Sequence, residues 1–231
     1  MNGSAIHHTF LFADLAGFTA LTEAHGDDEA AALVAEFLRL VRGLLTEHRA
    51  ELVKSIGDAA MIRCDDAADA VRLGVRIVKD VGGQHGFPIV RVGMHTGSAT
   101  ERDGDWFGAT INLAARISGL AGGDEVLLSS TTHEHAGPLG DITLHQRGRH
   151  ALRNVTEPVL LFEAERAGER SIRGLPIDPV CRMAVDTEDA AGRLLHDGVR
   201  YYFCSLQCAQ SFAKHPDRYT PSARPGSSDE R

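Results

Sequence analysis

No run of apolar residues in this chain approaches the roughly 20 that a membrane-crossing helix needs, and no basic segment followed by an apolar stretch opens it. Basic residues are the minority, 24 against 32 acidic, for a formal charge of -8, and they gather in no local patch. A surface of that sign repels phosphate backbones and anionic bilayers, so neither nucleic acid nor a membrane is expected as a partner, and the cytoplasm is the expected location. Cysteine is scarce in the first part, where Cys64 stands alone and reads as structural. Cys181, Cys204 and Cys208 are grouped near the end; three clustered thiols cannot all pair with one another, and in a cytoplasmic protein such a group more often binds metal than forms disulfides. No internal repeat is present. The 231 residues are 43% hydrophobic, enough for a core, and their number suits one domain of common size with a small second one.

Periodicity orders the first part. Thr9 to Ala13 is an apolar strand ending at Asp14, and Gly17-Phe18-Thr19 turns into helical sequence. Leu33, Val34, Phe37, Leu38, Val41, Leu44 and Leu45 recur at helical spacing, the mark of a long amphipathic helix. Leu52 to Ile56 and Ala59 to Arg63 read as strands joined by a tight Gly57-Asp58 turn, with Asp58 at the tip. A helix over Ala67 to Val81 and a strand over Ile89 to His95 follow; beyond a Gly104-Asp105 turn, Ile111 to Leu120 is helical. Glu125 to Ser129, Ile142 to His145 and Val159 to Glu163 are further strands. The order β-α-β-β-α-β predicts an α+β fold built on a ferredoxin-like split βαβ sheet.

A strand end and a hairpin tip would hold the carboxylates of Asp14 and Asp58 on rigid elements at one edge of that sheet. Hard oxygen ligands suit Mg²⁺ or Mn²⁺, which keep waters and substrate phosphates as their other ligands. Two such ions about 3.5–4 Å apart lower the pKa of an attacking hydroxyl and neutralise a departing pyrophosphate. The amides of Gly17, Phe18 and Thr19 at a helix start could bind phosphate oxygens. Taken singly, Asp14 also reads as an N-cap, Asp58 as a turn former and Lys54 as a strand-surface lysine. Asn112 and Arg116, at i and i+4, share one helix face.

Taken as a set, FADLAGFT, KSIGD, RVGMHTG and DWFGATINLAAR resemble, in order and spacing, the catalytic domain of class III nucleotidyl cyclases, the adenylate and guanylate cyclase family, over residues 9–164. The resemblance implies a homodimer with two equivalent sites, metal-binding and base-reading residues coming from opposite copies. It implies that Asp14 and Asp58 bind two Mg²⁺ or Mn²⁺ per site and that Lys54 and Asp105 select adenine. Asn112 would orient the ribose, Arg116 would stabilise charge on the α-phosphate, Arg91 would contact the β- and γ-phosphates, and Arg149 would match a phosphate-binding basic residue. The chemistry of the base agrees. Adenine offers an acceptor at N1 and a donor at its 6-amino group, complementary to a lysine and an aspartate, whereas guanine offers the reverse. ATP is therefore the expected substrate, with cyclic AMP and pyrophosphate as products. The alternatives are a non-catalytic nucleotide-binding regulator and a protein acting mainly as a metal sensor.

Residues 165–175, charged and poor in apolar side chains, are expected to link this domain to a small unit over 176–220, and 221–231 to be disordered. The small unit carries a C-x22-C-x3-C arrangement whose thiolates could close on Zn²⁺ or Cu⁺. With Tyr202, Phe203, Phe212, Pro216 and Tyr219, it resembles the YHS domain, a module related to the TRASH metal-binding units. It departs from that pattern at Arg182, where the family has glycine, and this puts the local turn in question. His196, His215 and Asp178 are the candidate fourth ligands. The alternative is that the thiols pack under the aromatic rings as small hydrophobes. Metal occupancy or thiol oxidation in this unit would bias cyclase dimer geometry through the linker.

Overall fold

The computed structural model describes residues 7–168 and 175–220. Strand β1 (His8–Leu15) is buried along nearly its whole length, because its apolar residues face both ways: Leu11, Ala13 and Leu15 join one core, Phe10 and Phe12 another. Helices α1 (Phe18–His25) and α2 (Asp27–Leu45) follow, then the hairpin of β2 (Ala50–Ile56) and β3 (Ala59–Cys64). Helix α3 (Ala67–Arg76) widens into a π-helical turn over Ile77–Val81 before β4 (Val90–Gly97). These four strands lie in the antiparallel order β2-β3-β1-β4, the split arrangement that the sequence predicts.

A hairpin of β5 (Thr100–Arg102) and β6 (Asp105–Phe107) leads into α4 (Ala109–Leu120). Strand β7 (Val126–Ser129) pairs parallel to β4; after α5 (Ser130–Ala136), β8 (Ile142–His150) and β9 (Val159–Arg166) complete a seven-stranded sheet ordered β2-β3-β1-β4-β7-β9-β8. Phe37 and Val41 of α2 and Leu73 of α3 cover one face, while α4 lies on the other over Phe10, Phe12 and Met61. Gly93 permits that approach, since a Cβ there would sit 1.9 Å from the backbone nitrogen of Ser118. Gly93→Ala must push helix from sheet, an overpacking cost on the order of 3 kcal/mol. Thermal unfolding should read this as a fall in Tm on the order of 10 °C; an unchanged Tm would mean that α4 is not seated on β4.

The structure corrects the reading of several connections. The turn before β6 is Asp103-Gly104, both residues in the left-handed region (φ 54° and 77°), as a two-residue hairpin requires, so Asp105 begins the strand. The expected linker starts too early. Glu165 and Arg166 pair with Thr143 and Ile142 at the end of β9, because a partner strand satisfies their backbone groups. The rest of that linker, over 169–174, and the tail 221–231 lie outside the described residues.

The C-terminal unit contains the hairpin β10 (Gly192–His196) and β11 (Val199–Phe203) followed by α6 (Leu206–Lys214). It is docked against the first domain. Val180, Met183, Phe203 and Phe212 share a core with Leu21 of α1 and Ala30 of α2, and Leu33 packs against it. The Gly86 amide donates to the Ala184 carbonyl at 3.0 Å and the Ala184 amide donates to that of Phe87 at 3.2 Å. Among the described residues no helix is long and apolar enough to cross a membrane.

Candidate functional site

Strand pairing puts the critical charges on one face of the sheet. Asp14 lies opposite Arg91 on β4 and Ala59 on β3, two positions along from Phe12, which faces α4; Lys54 lies opposite Met61, of the same apolar cluster. Asp58 projects from the two-residue turn after β2, where Gly57 takes φ 60°. Asp14 and Asp58 line one cleft of about 360 Å³ together with Ile56 of β2 and Ala115, Ser118 and Gly119 of α4.

Arg91 grips Asp14 through two bonds, Nε and Nη2 donating to Oδ2 at 2.8 and 2.5 Å. Burial, and then the negative charge of Asp14, push the carboxyl of Asp58 up to about 6. Two crowded carboxylates that resist joint ionisation, on rigid elements and in a cleft, are a donor set suited to a hard divalent cation. Asp14 is no helix cap. Gly17 holds that position with φ 83°, no side chain caps the first turn of α1, and Gly17 and Thr19 are exposed while Phe18 is half-buried. The stem of Arg182 packs on Gly17, where an added Cβ would lie 2.6 Å from its Cγ. Arg182 itself takes φ 68°, so the turn is kept in the left-handed form that glycine adopts more easily.

At the β2 edge, Lys54 Nζ donates to both carboxylate oxygens of Asp105, at 2.8 and 2.6 Å, and stands 5.7 Å from the centre of the Phe107 ring. The bond from Lys54, followed by that from the Trp106 amide, holds the Asp105 carboxyl below its usual range. The remaining candidates lie elsewhere. Asn112 is exposed on α4, and Arg116 turns toward the β8–β9 connection, Nη1 donating to the Asn154 carbonyl at 3.4 Å. Arg149 is on β8, the sheet edge opposite β2, and donates to the Pro158 carbonyl at 3.1 Å. Within one chain, Arg149 is not brought to the cleft.

The three C-terminal cysteines do converge. Cys181 and Cys204 have sulfurs 3.3 Å apart, and Cys204 and Cys208 3.9 Å. Hydrogen bonds to Cys208, first from Cys181 and then from Cys204, hold its thiol well below the usual range. The fourth group beside them is none of the three expected. It is His25 at the end of α1, with Nε2 3.6 Å from Cys204 Sγ and 3.7 Å from Cys208 Sγ. His215 is exposed and His196 stacks edge-on against Phe212. The Asp178 carboxylate is occupied as an acceptor for the amides of Val180 and Cys204, at 2.8 and 2.9 Å. Cys64 is fully buried and its thiol is pushed up to about 12 by that burial, in keeping with a structural role.

Residues 4–162 match the family described as the adenylate and guanylate cyclase catalytic domain, and residues 177–223 match the YHS domain. The chain is 34% identical over 169 residues to a pH-sensitive adenylate cyclase of Mycobacterium tuberculosis, covering 72% of this chain and 42% of that protein. It is 38% identical over 117 residues to an adenylate cyclase of Streptomyces griseus, covering 51% and 29%. The chain thus spans less than half the length of these curated relatives. Among solved structures, an adenylate cyclase of Trypanosoma brucei in its monomeric state superposes with TM-score 0.65 at 24% identity, over 71% of this chain and 90% of that one. The adenylyl cyclase CyaB of P. aeruginosa gives 0.61 at 22% identity, over 72% and 96%. At such identities the structures speak for the fold.

Proposed function

Because the chain belongs to the adenylate and guanylate cyclase catalytic-domain family and carries a YHS domain behind it, we propose that it converts ATP to 3′,5′-cyclic AMP and pyrophosphate at sites shared between two copies. The observation that carries this reading is the Lys54–Asp105 pair set on the sheet face that also bears Asp14, with Asp58 beside it in the cleft. The lysine would give a proton to adenine N1 and the aspartate would accept one from the 6-amino group. Guanine would leave both groups without a partner on the base, a mismatch that discriminates by about 10⁴ to 10⁵ where a site is built on such bonds.

Asp14 and Asp58 would hold two divalent cations, Mg²⁺ or Mn²⁺, which when bound acidify the ribose 3′-hydroxyl and offset charge on the departing pyrophosphate. The amides of Gly17, Phe18 and Thr19 receive triphosphate oxygens at the positive end of α1. Arg91, exchanging Asp14 for substrate, holds the β- and γ-phosphates. Asn112 orients the ribose, and Arg116 stabilises the negative charge that grows on the α-phosphate. The 3′-oxygen bonds to the α-phosphorus as the bond to pyrophosphate breaks, and its proton leaves to solvent. No side-chain nucleophile takes part.

A shared site is supported by the direction of Arg116, which points to the β8–β9 side of α4 while the two aspartates open on the β3 side. Arg149 could serve only from a second copy. Ile56 and Phe107, 53% and 52% exposed beside Asp58 and Lys54, give that copy apolar surface to cover.

The reading is tested by incubating purified protein with ATP or GTP and Mn²⁺ or Mg²⁺, beside Asp58→Ala, and identifying the products chromatographically. Cyclic AMP from ATP, absent with Asp58→Ala, is the expected result. No product at concentrations that favour dimers would favour instead a nucleotide-binding regulator without turnover.

A further inference from the structure

The thiol cluster lies apart from the nucleotide cleft and draws one of its four members from the cyclase domain. We propose that His25 of α1 closes a four-ligand zinc site with Cys181, Cys204 and Cys208, so that the ion fastens the YHS unit to the cyclase domain. The proposal holds whether or not the protein turns over ATP.

The distances fit one ion. Tetrahedral zinc, with Zn–S about 2.3 Å and Zn–N about 2.0 Å, sets S···S edges of about 3.8 Å and S···N edges of about 3.5 Å. Two of the three sulfur pairs lie 3.3 and 3.9 Å apart, two of the three sulfur–nitrogen pairs 3.6 and 3.7 Å, and all four donors are within 4.8 Å of one another. Three thiolates and an imidazole are soft and borderline donors, suited to zinc and unsuited to magnesium or calcium. With all four positions taken by protein, the site is of the closed, structural kind.

The surroundings of His25 are those of a ligand. Its side chain is 8% exposed, Nε2 faces the sulfurs, and Nδ1 lies 3.5 Å from Oε1 of Glu29 in the first turn of α2. A carboxylate behind a ligating imidazole fixes its tautomer and strengthens its basicity. Asp178 does the corresponding work for the loop, receiving amides on either side of the gap between Cys181 and Cys204. Among the described residues the small unit supplies three of the donors, and its docking against α1 and α2 brings the fourth.

The test is a titration of the reduced, metal-free full chain with Zn²⁺ against a chromophoric chelator, and with Co²⁺ followed by its visible and near-ultraviolet bands. One ion per chain with a tetrahedral Co²⁺ spectrum is expected. Glu29→Gln should weaken zinc about tenfold, and His25→Ala by at least about 100-fold, the upper end of what loss of a supporting partner costs. His25→Cys, which offers a fourth thiolate, should keep one ion per chain and raise the sulfur-to-cobalt absorption, and so separates a lost ligand from a lost fold. The proposal is overturned if the wild-type chain binds no zinc. It is equally overturned if His25→Ala matches wild type in affinity, or if His25→Cys leaves the cobalt spectrum unchanged.

Discussion

Alanine at Asp14 in one protein and at Arg116 in another should each lower cyclic-AMP formation by roughly 10²–10³-fold or more, and mixing the two inactive proteins should restore part of it. The first substitution removes a carboxylate from the proposed cation site, and the second removes the charge proposed to meet the developing α-phosphate. If the two groups serve one reaction from different copies, a mixed dimer contains one site damaged twice and one untouched. The geometry favours this arrangement, since Arg116 reaches the Asn154 carbonyl on the far side of α4 from the aspartates. Turnover is measured after mixing, with mixed dimers verified by native mass spectrometry. Verified mixed dimers without recovered activity would place each complete site within a single chain.

Exchanging the two charges at the pair proposed to read the base, Lys54→Glu together with Asp105→Lys, should invert the preference for purine. The exchange keeps an ion pair across the same gap, now bridged at 2.6–2.8 Å, so the hairpin of β5 and β6 keeps its tie to β2. It reverses the hydrogen-bond pattern presented to the base: a carboxylate faces the N1 proton of guanine and an ammonium faces its 6-oxo group. The ratio of kcat/KM for ATP over GTP should fall by about 10⁴-fold, the range open to sites that recognise polar edges by hydrogen bonds. A ratio unmoved by the exchange would assign base selection to other residues.

The main sheet was legible because its signals are local. The continuous apolar run of β1 and the 3.6-residue recurrence from Leu33 to Leu45 set strand and helix, and the Gly57-Asp58 turn fixed Asp58 at a hairpin tip. The break between α1 and α2 at Gly26 and the short hairpins were harder, since three-residue strands carry too little alternation to register. Their turns were nonetheless written in the chain: Asp103-Gly104 and Asp197-Gly198 each place two successive residues at positive φ. His25 had no such signal. It stands 179 positions before Cys204, and only the packing of Phe203 and Phe212 against Leu21 and Ala30 brings imidazole and thiol together. Spacing rules see ligands that share an element, whereas this set is assembled by tertiary docking.

Helix α1 carries the amides proposed to bind phosphate at its first residues and the imidazole of His25 at its last. Eight residues at about 1.5 Å each make it a rod about 12 Å long. Glycines bound it at both ends, Gly17 at φ 83° and Gly26 at φ 88°, in backbone states that uncouple its direction from β1 and from α2. It is thus a two-turn rod between two bends in the backbone. Leu21 at its middle is fully buried and Phe18 touches both the sheet core and the core of the C-terminal unit, so the residues proposed for triphosphate and the imidazole proposed for zinc are held at a fixed separation by one buried rod.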